Sequence, residues 1–192
     1  MLERVLGTLE YTDEHTYAHN GKDFTGINFY INKQEQVTEE LSYFEGMKWG
    51  FYRKWNSNGV LLKLHTVNLD GNGRSKKWYG NKVLQEDCFY DSGSIVWRKR
   101  WDQQGNLIED FNIMEDPNGE NYIYWKKIQS LKEQGKAYNS LLPLEIQEVR
   151  AKWDEQVKHF EEEIANYLEK FPSNKVYYLK DFVNFLLTTF IA

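Results

Sequence analysis

Seven Trp, thirteen Tyr and eleven Phe in 192 residues supply enough apolar bulk to fold most of the chain, which excludes extended disorder. A net charge of -5 excludes a broad nucleic-acid footprint, and the local run Arg98-Lys99-Arg100 does not reverse that. Cys88 is the single cysteine, so no intrachain disulfide forms. With an N-terminus that lacks the order of a signal peptide and an apolar stretch near 182–192 too short for a bilayer, this predicts a cytoplasmic protein without a membrane segment.

Twelve of the thirteen glycines precede residue 125, which predicts a β-rich part over 1–125 and a helical part over 126–192. A first hairpin copy is expected from Asn20-Gly21 and Gly26, with Phe29-Tyr30 as its aromatic pair. Leu41 to Phe44 reads as a strand ended by Glu45-Gly46, and Phe51 to Trp55 as the next. Asn58-Gly59 predicts a type I′ hairpin turn, in which both positions need positive φ. Val60 to Val67 follows, and then the turn Asp70-Gly71-Asn72-Gly73. Lys76 to Tyr79 starts another copy, and Asp91-Ser92-Gly93 and Gln104-Gly105-Asn106 mark the last clear turns. A short helix is expected over 124–136, ended at Gly135. Ile146, Val149, Trp153, Val157, Phe160, Ile164 and Phe171 step by three or four residues, which predicts an amphipathic helix stopped by Pro172. Trp153, Phe160 and Ile164 are expected to be buried. A last helix from Leu179 would carry Phe182, Phe185, Leu186 and Phe190 on one side. The helices read as a cap over one end of the sheet and its last edge strand.

Trp55, Trp78 and Trp101 stand 23 residues apart. Gly50 and Gly73 each precede one of them by five residues, and Gly59 and Gly105 each follow one by four. The frame extends to Gly119 and Tyr124, 23 residues after Val96 and Trp101. A fixed period of this length predicts stacked hairpins, because one hairpin cannot bury its own aromatic face. Equal phase predicts that the three tryptophans line one face.

The segment Gly46 to Lys63, with Gly46, Gly50, Trp55 and Gly59, resembles the MORN-type repeat. More narrowly it is similar to the variant of YwqK-type bacterial antitoxins, patterned G-x-x-x-G-x-x-x-x-Y-Y-x-x-N-G-x-L-x. The next copy keeps Gly73, Trp78 and Tyr79 but has Lys82 for the turn glycine; the third keeps Gly93, Trp101 and Gly105 but has Val96 for the second glycine. The resemblance covers about residues 20–125 and implies an α+β fold, an elongated antiparallel β-meander of about 23-residue hairpins followed by a C-terminal helical cap. It further implies a non-enzymatic antitoxin or immunity protein that binds a cognate protein toxin, with no cofactor and no catalytic motif to carry over. An acidic inhibitor suits a basic nuclease toxin. The alternative is a protein- or membrane-interaction scaffold using Trp97-Arg98-Lys99-Arg100-Trp101, and a third reading, an enzyme, needs a pocket where sheet meets helices.

Partner contacts are expected on the sheet face opposite the tryptophans, with Tyr52, Lys54, Tyr79 and Lys99 pointing outward. No metal site is expected. His15, His19 and Asp23 lack a regular helix to hold ligand spacing. Glu161-Glu162-Glu163 with His159 fails the Glu-x-x-His pattern, since Gln156 stands three before His159, and reads as a solvated face. Gly71 to Lys76 lacks the phosphate-loop spacing and reads as a turn. Cys88 reads as a small buried strand residue rather than a nucleophile.

Overall fold

Four hairpin turns repeat one chemistry at spacings of 24, 23 and 23 residues. At the second, Asn56 N–H donates to the Val60 carbonyl and Gly59 N–H to the Asn56 carbonyl; the pairs at Asn32–Gln36, Tyr79–Val83 and Asp102–Asn106 match it. The side chain of Asn56 accepts from the Asn58 and Val60 N–H groups, and Asn32 and Asp102 do the same in their own turns. The fourth turn residue has positive φ each time: Glu35, Gly59, Lys82 and Gly105. This is a type I turn closed by a left-handed residue, not the type I′ turn expected at Asn58-Gly59, because Gly59 alone of that pair has positive φ. Two-residue type I′ geometry occurs at the other sheet end, where Glu45-Gly46 and Ser92-Gly93 both have positive φ.

The computed structural model describes residues 2–13, 15–67, 72–134, 144–175 and 177–178, with 67 and 144–153 as backbone alone. The strands in chain order are β1 (Glu3–Leu6), β2 (Glu10–Tyr11), β3 (Tyr17–His19), β4 (Lys22–Asp23), β5 (Gly26–Ile31) and β6 (Val37–Phe44). They continue as β7 (Met47–Trp55), β8 (Leu61–Val67), β9 (Gly73–Trp78), β10 (Leu84–Asp91), β11 (Ser94–Trp101) and β12 (Leu107–Asn112). A single 3-10 turn (Ile113–Glu115) leads to α1 (Glu120–Glu133) and then α2 (Leu144–Lys170). Among the described residues nine strands form one sheet in the order β1-β5-β6-β7-β8-β9-β10-β11-β12, and β2-β3-β4 form a small second sheet. From β5 onward the large sheet is an antiparallel meander, as the α+β repeat reading expects; β1 adds in parallel at its edge. It passes so close that a Cβ on Gly26 would stand 2.3 Å from the Glu3 carbonyl oxygen.

Each copy also carries a bulge at one phase. Lys54 faces Lys63 but Trp55 faces Leu61, leaving Leu62 as the extra residue; Gln85 and Ile108 are extra at the same place in the next copies. Lys54, Lys63, Lys77, Glu86 and Arg100 lie opposite one another across successive strands, so they share a face. Trp55, Trp78 and Trp101, each next to one of them, therefore share the other face, as their equal phase requires.

That tryptophan-bearing face, over β5–β7, receives α2. Phe29, Phe44, Trp49, Phe51 and Trp55 pack with Val157, Phe160, Ile164, Tyr167 and Phe171 in the main core. The opposite face of β1, β5 and β6 is covered by the small-sheet region, where Phe24, Leu9 and Tyr17 pack with Val5 and Tyr43. A buried polar clamp fastens α2 down. Arg53 Nε donates to Glu40 (2.6 Å), Tyr167 Oη donates to the same carboxylate (2.7 Å), and Arg4 donates to Tyr167 (3.1 Å). Arg53 also donates to the Phe171 carbonyl, and the Trp55 indole to the Ser173 carbonyl.

Several expectations change. α2 lies on the face of the first hairpins rather than over the end of the sheet, because its apolar stripe matches the strands richest in Phe and Trp. Gly119 is the N-cap of α1 and Tyr124 lies within that helix, so the 23-residue frame stops at β12. The helix expected from 124 starts at Glu120. Phe160 and Ile164 are buried as expected. The Trp153 side chain, the turn at 70–71, Gly135 and the helix expected from 179 lie outside the described residues.

Candidate interaction surface

Beyond β7, Leu61 of β8 still packs against the core beneath α2, and farther out α1 touches β11. One carboxylate holds it. Asp91, at the end of β10, accepts from the Trp125 indole (3.1 Å), Gln129 (2.8 Å) and Lys132 (3.0 Å). Burial pushes the Asp91 carboxyl up, but the hydrogen bonds from Lys132, Trp125 and Ser92 outweigh it and hold the group below its ordinary value.

What the outer strands present is charge, arranged in two rows that cross the sheet. On the tryptophan-bearing face the row reads Glu40, Arg53, Leu64, Lys76, Asp87, Lys99, Asp110; on the other it reads Glu39, Lys54, Lys63, Lys77, Glu86, Arg100, Glu109. Oppositely charged neighbours pair along both, while Lys63 faces Lys54 and Lys77 as a like charge. Lys76 lies 3.6 Å from Asp87, and Lys99 2.9 Å from Asp110. Lys54 meets Glu39 at 3.4 Å, Lys77 meets Glu86 at 2.7 Å, and Arg100 meets Glu86 at 3.9 Å and Glu109 at 3.2 Å. Arg74 and Arg98 add a second cation to Asp87 and Glu109. The Arg98 hydrogen bond holds the Glu109 carboxyl below its ordinary value. These pairs sit at one repeat phase, a signal present in the sequence beside the aromatic one.

The four expected contact residues do not share a face. Tyr52 and Lys54 lie two residues apart on β7 and share a face: Lys54 is exposed on the face away from α2, and Tyr52, on that face by register with His65, carries the Lys63 ammonium 5.0 Å over its ring. Burial, then the hydrogen-bonded Glu39, pushes Tyr52 up to about 12. Tyr79 is in a turn, its hydroxyl donating to the Trp101 carbonyl at 3.0 Å. Lys99 is two residues before Trp101 and so shares its face, paired with Asp110; alternation places it opposite to the expectation. The stripe Trp97 to Trp101 is split likewise. Trp97, Lys99 and Trp101 face one way, Arg98 and Arg100 the other, and all three cations have acidic partners. Missed by the aromatic argument is Arg74, whose guanidinium lies 5.5 Å over the Trp97 ring.

On the face away from α2, His65, Ser75 and Cys88 stand in register on successive strands. Cys88 is fully buried, and burial pushes its thiol up, so it is a packed strand residue. His65 meets Tyr90 edge-on at 5.9 Å, and burial, then Lys63 and Lys77, holds its imidazole below the ordinary value. The residues weighed as metal ligands use separate partners: His15 with Tyr11, His19 with Glu3, Asp23 with Thr16. Among the described residues no three His, Cys, Asp or Glu side chains group as a metal site. Glu161 is not simply solvated, since it accepts from the Trp49 indole at 3.2 Å. No described helix is long and apolar enough to cross a membrane. Compared with family models, with curated proteins and with solved structures, the chain matches none.

Proposed function

We propose that this chain is a non-enzymatic binding protein of the cytoplasm, a MORN-like bacterial antitoxin or immunity protein that neutralises a cognate toxin by direct contact. The observation that carries the reading is the outer half of the sheet. It offers a broad surface with half-buried Trp78, Trp97 and Trp101 beside Arg74 and Lys99, held stiff by paired charges. Aromatic and Arg side chains on a rigid support are what protein contacts favour, because little entropy is lost on docking. Inhibition works by occlusion, so it needs no reacting group of its own. A basic nuclease remains the toxin class that the acidic balance suits.

The test is co-purification of the chain with its genomic neighbour, followed by rescue of cells expressing that neighbour. Rescue that is lost on Trp97→Ala with Trp101→Ala, at unchanged amounts of folded protein, supports the reading. A harmless neighbour that never co-purifies overturns it. The membrane-scaffold alternative loses its main motive here, since its basic stripe is divided between two faces and neutralised.

A further inference from the structure

β12 is the last strand of the large sheet, and among the described residues nothing pairs with its outer edge. An edge strand aims alternate backbone N–H and C=O groups outward and is a template for another strand. β12 has neither Pro nor Lys to discourage that. Leu107 and Ile108, at its start, are 50% and 59% exposed, and Met114, just past its end, is 51% exposed.

The charge rows say what kind of strand fits. Adjacent residues of a strand point to opposite faces, so each strand contributes one residue to each row. β7 supplies Arg53 and Lys54, β9 Lys76 and Lys77, β11 Lys99 and Arg100: basic in both rows. β6 supplies Glu39 and Glu40, β10 Glu86 and Asp87, β12 Glu109 and Asp110: acidic in both. The exception is β8, with Lys63 and Leu64. β10 shows an acidic strand between two basic ones, Glu86 accepting from Lys77 on one side and lying near Arg100 on the other. β12 has the basic neighbour on its inner side alone.

We propose that the outer edge of β12 is a strand-addition site for an extended segment of a partner protein that carries two adjacent basic residues. One enters each row, so the pair fits in either strand direction. A second copy of this chain is the poorer occupant. β12 against its own symmetry mate sets acid against acid, and β1, the other sheet edge, offers Glu3 beside Arg4. The site goes beyond the toxin reading and stands without it, since it concerns a different surface and any partner bearing such a segment.

The probe is a β-branched octapeptide with a central Lys-Arg pair, titrated into the full chain, with Ser-Ser and Glu-Asp versions as controls. Amide exchange is followed in the same samples. Expected are binding at least about tenfold tighter for the basic peptide, weakening with salt, and slowed exchange within 107–112. Glu109→Gln with Asp110→Asn should remove the preference. Should that variant not fold, the exchange footprint on the natural chain decides alone. Equal binding of all three peptides, no binding, protection elsewhere on the sheet, or a concentration-dependent dimer that itself protects 107–112 overturns the proposal. None of these results bears on toxin rescue, so the two readings fail separately.

Discussion

The same repeat position does different work in the two halves of the sheet. Arg53, Lys76 and Lys99 share one phase, 23 residues apart, and each faces an acid on a neighbouring strand. In the inner half Arg53 and Glu40 are fully buried beneath α2, and the pair is part of a clamp with Tyr167 and Arg4. In the outer half Lys99 and Asp110 are about half exposed. Phase fixes which way a side chain points, and what covers that face decides whether its charge is a liability or a decoration. A buried ion pair tolerates no loss of one member, because the survivor is left uncompensated in a low dielectric. A solvated pair gives up little, because water replaces the partner.

This contrast is broken or kept by one series. Arg53→Met preserves bulk and strands Glu40, and should cost about 3–5 kcal/mol in urea unfolding. Lys76→Met and Lys99→Met, at the same phase, should each cost less than about 1 kcal/mol. Equal losses at all three would mean that α2 does not set the difference. The tryptophans sharpen the same comparison. Trp55→Ala empties a packed site and frees the Ser173 carbonyl, for about 3–5 kcal/mol. Trp101→Ala removes a half-buried ring, for on the order of 1–2 kcal/mol. If Trp101→Ala proves as costly, its ring is part of a core, and the proposed contact surface loses its centre.

Much of this division was legible in the chain, and some was not. The period announced the hairpins, and the Trp spacing gave their common face, since both follow from alternation and backbone register. The stripe from Val157 to Phe171 announced α2, but an apolar stripe does not say which surface receives it; in the structure Phe29, Phe44, Trp49, Phe51 and Trp55 do. Asn58-Gly59 misled because the dipeptide fits either turn class, and an acceptor side chain four residues before Val60 tipped the balance to the longer loop. Lys99 stands two residues from Trp101, an even step, so alternation puts it on the tryptophan-bearing face and not opposite it. The basic pairs Arg53-Lys54, Lys76-Lys77 and Lys99-Arg100 recur every 23 residues, as do the acidic pairs Glu86-Asp87 and Glu109-Asp110, with Glu39-Glu40 one residue out of step, yet which pair meets which needs the strand register.

The smallest expected effect lies where the two halves meet. Leu41, His65, Cys88 and Phe111 occupy one phase. Leu41 packs with the small-sheet region in the inner half, whereas His65 opens the outer half with Lys63 and Lys77 close enough to oppose its protonation. Burial and those two cations keep its folded pKa below the ordinary 6.5. The sign follows. Above that value the ring is neutral in both states and its contribution to stability is complete. As pH falls below it, the unfolded chain binds the proton and the folded chain resists, so stability declines until the folded ring is also protonated. The natural chain should therefore lose stability between pH 6.5 and the lower folded value, and His65→Gln should flatten that window while leaving the acid limb from carboxylates such as Asp91 and Glu109 in place. Urea midpoints for both proteins across the range give the comparison. Parallel curves would mean that His65 is as freely solvated as a surface histidine, and that the outer half buries less on this face than its strand register implies.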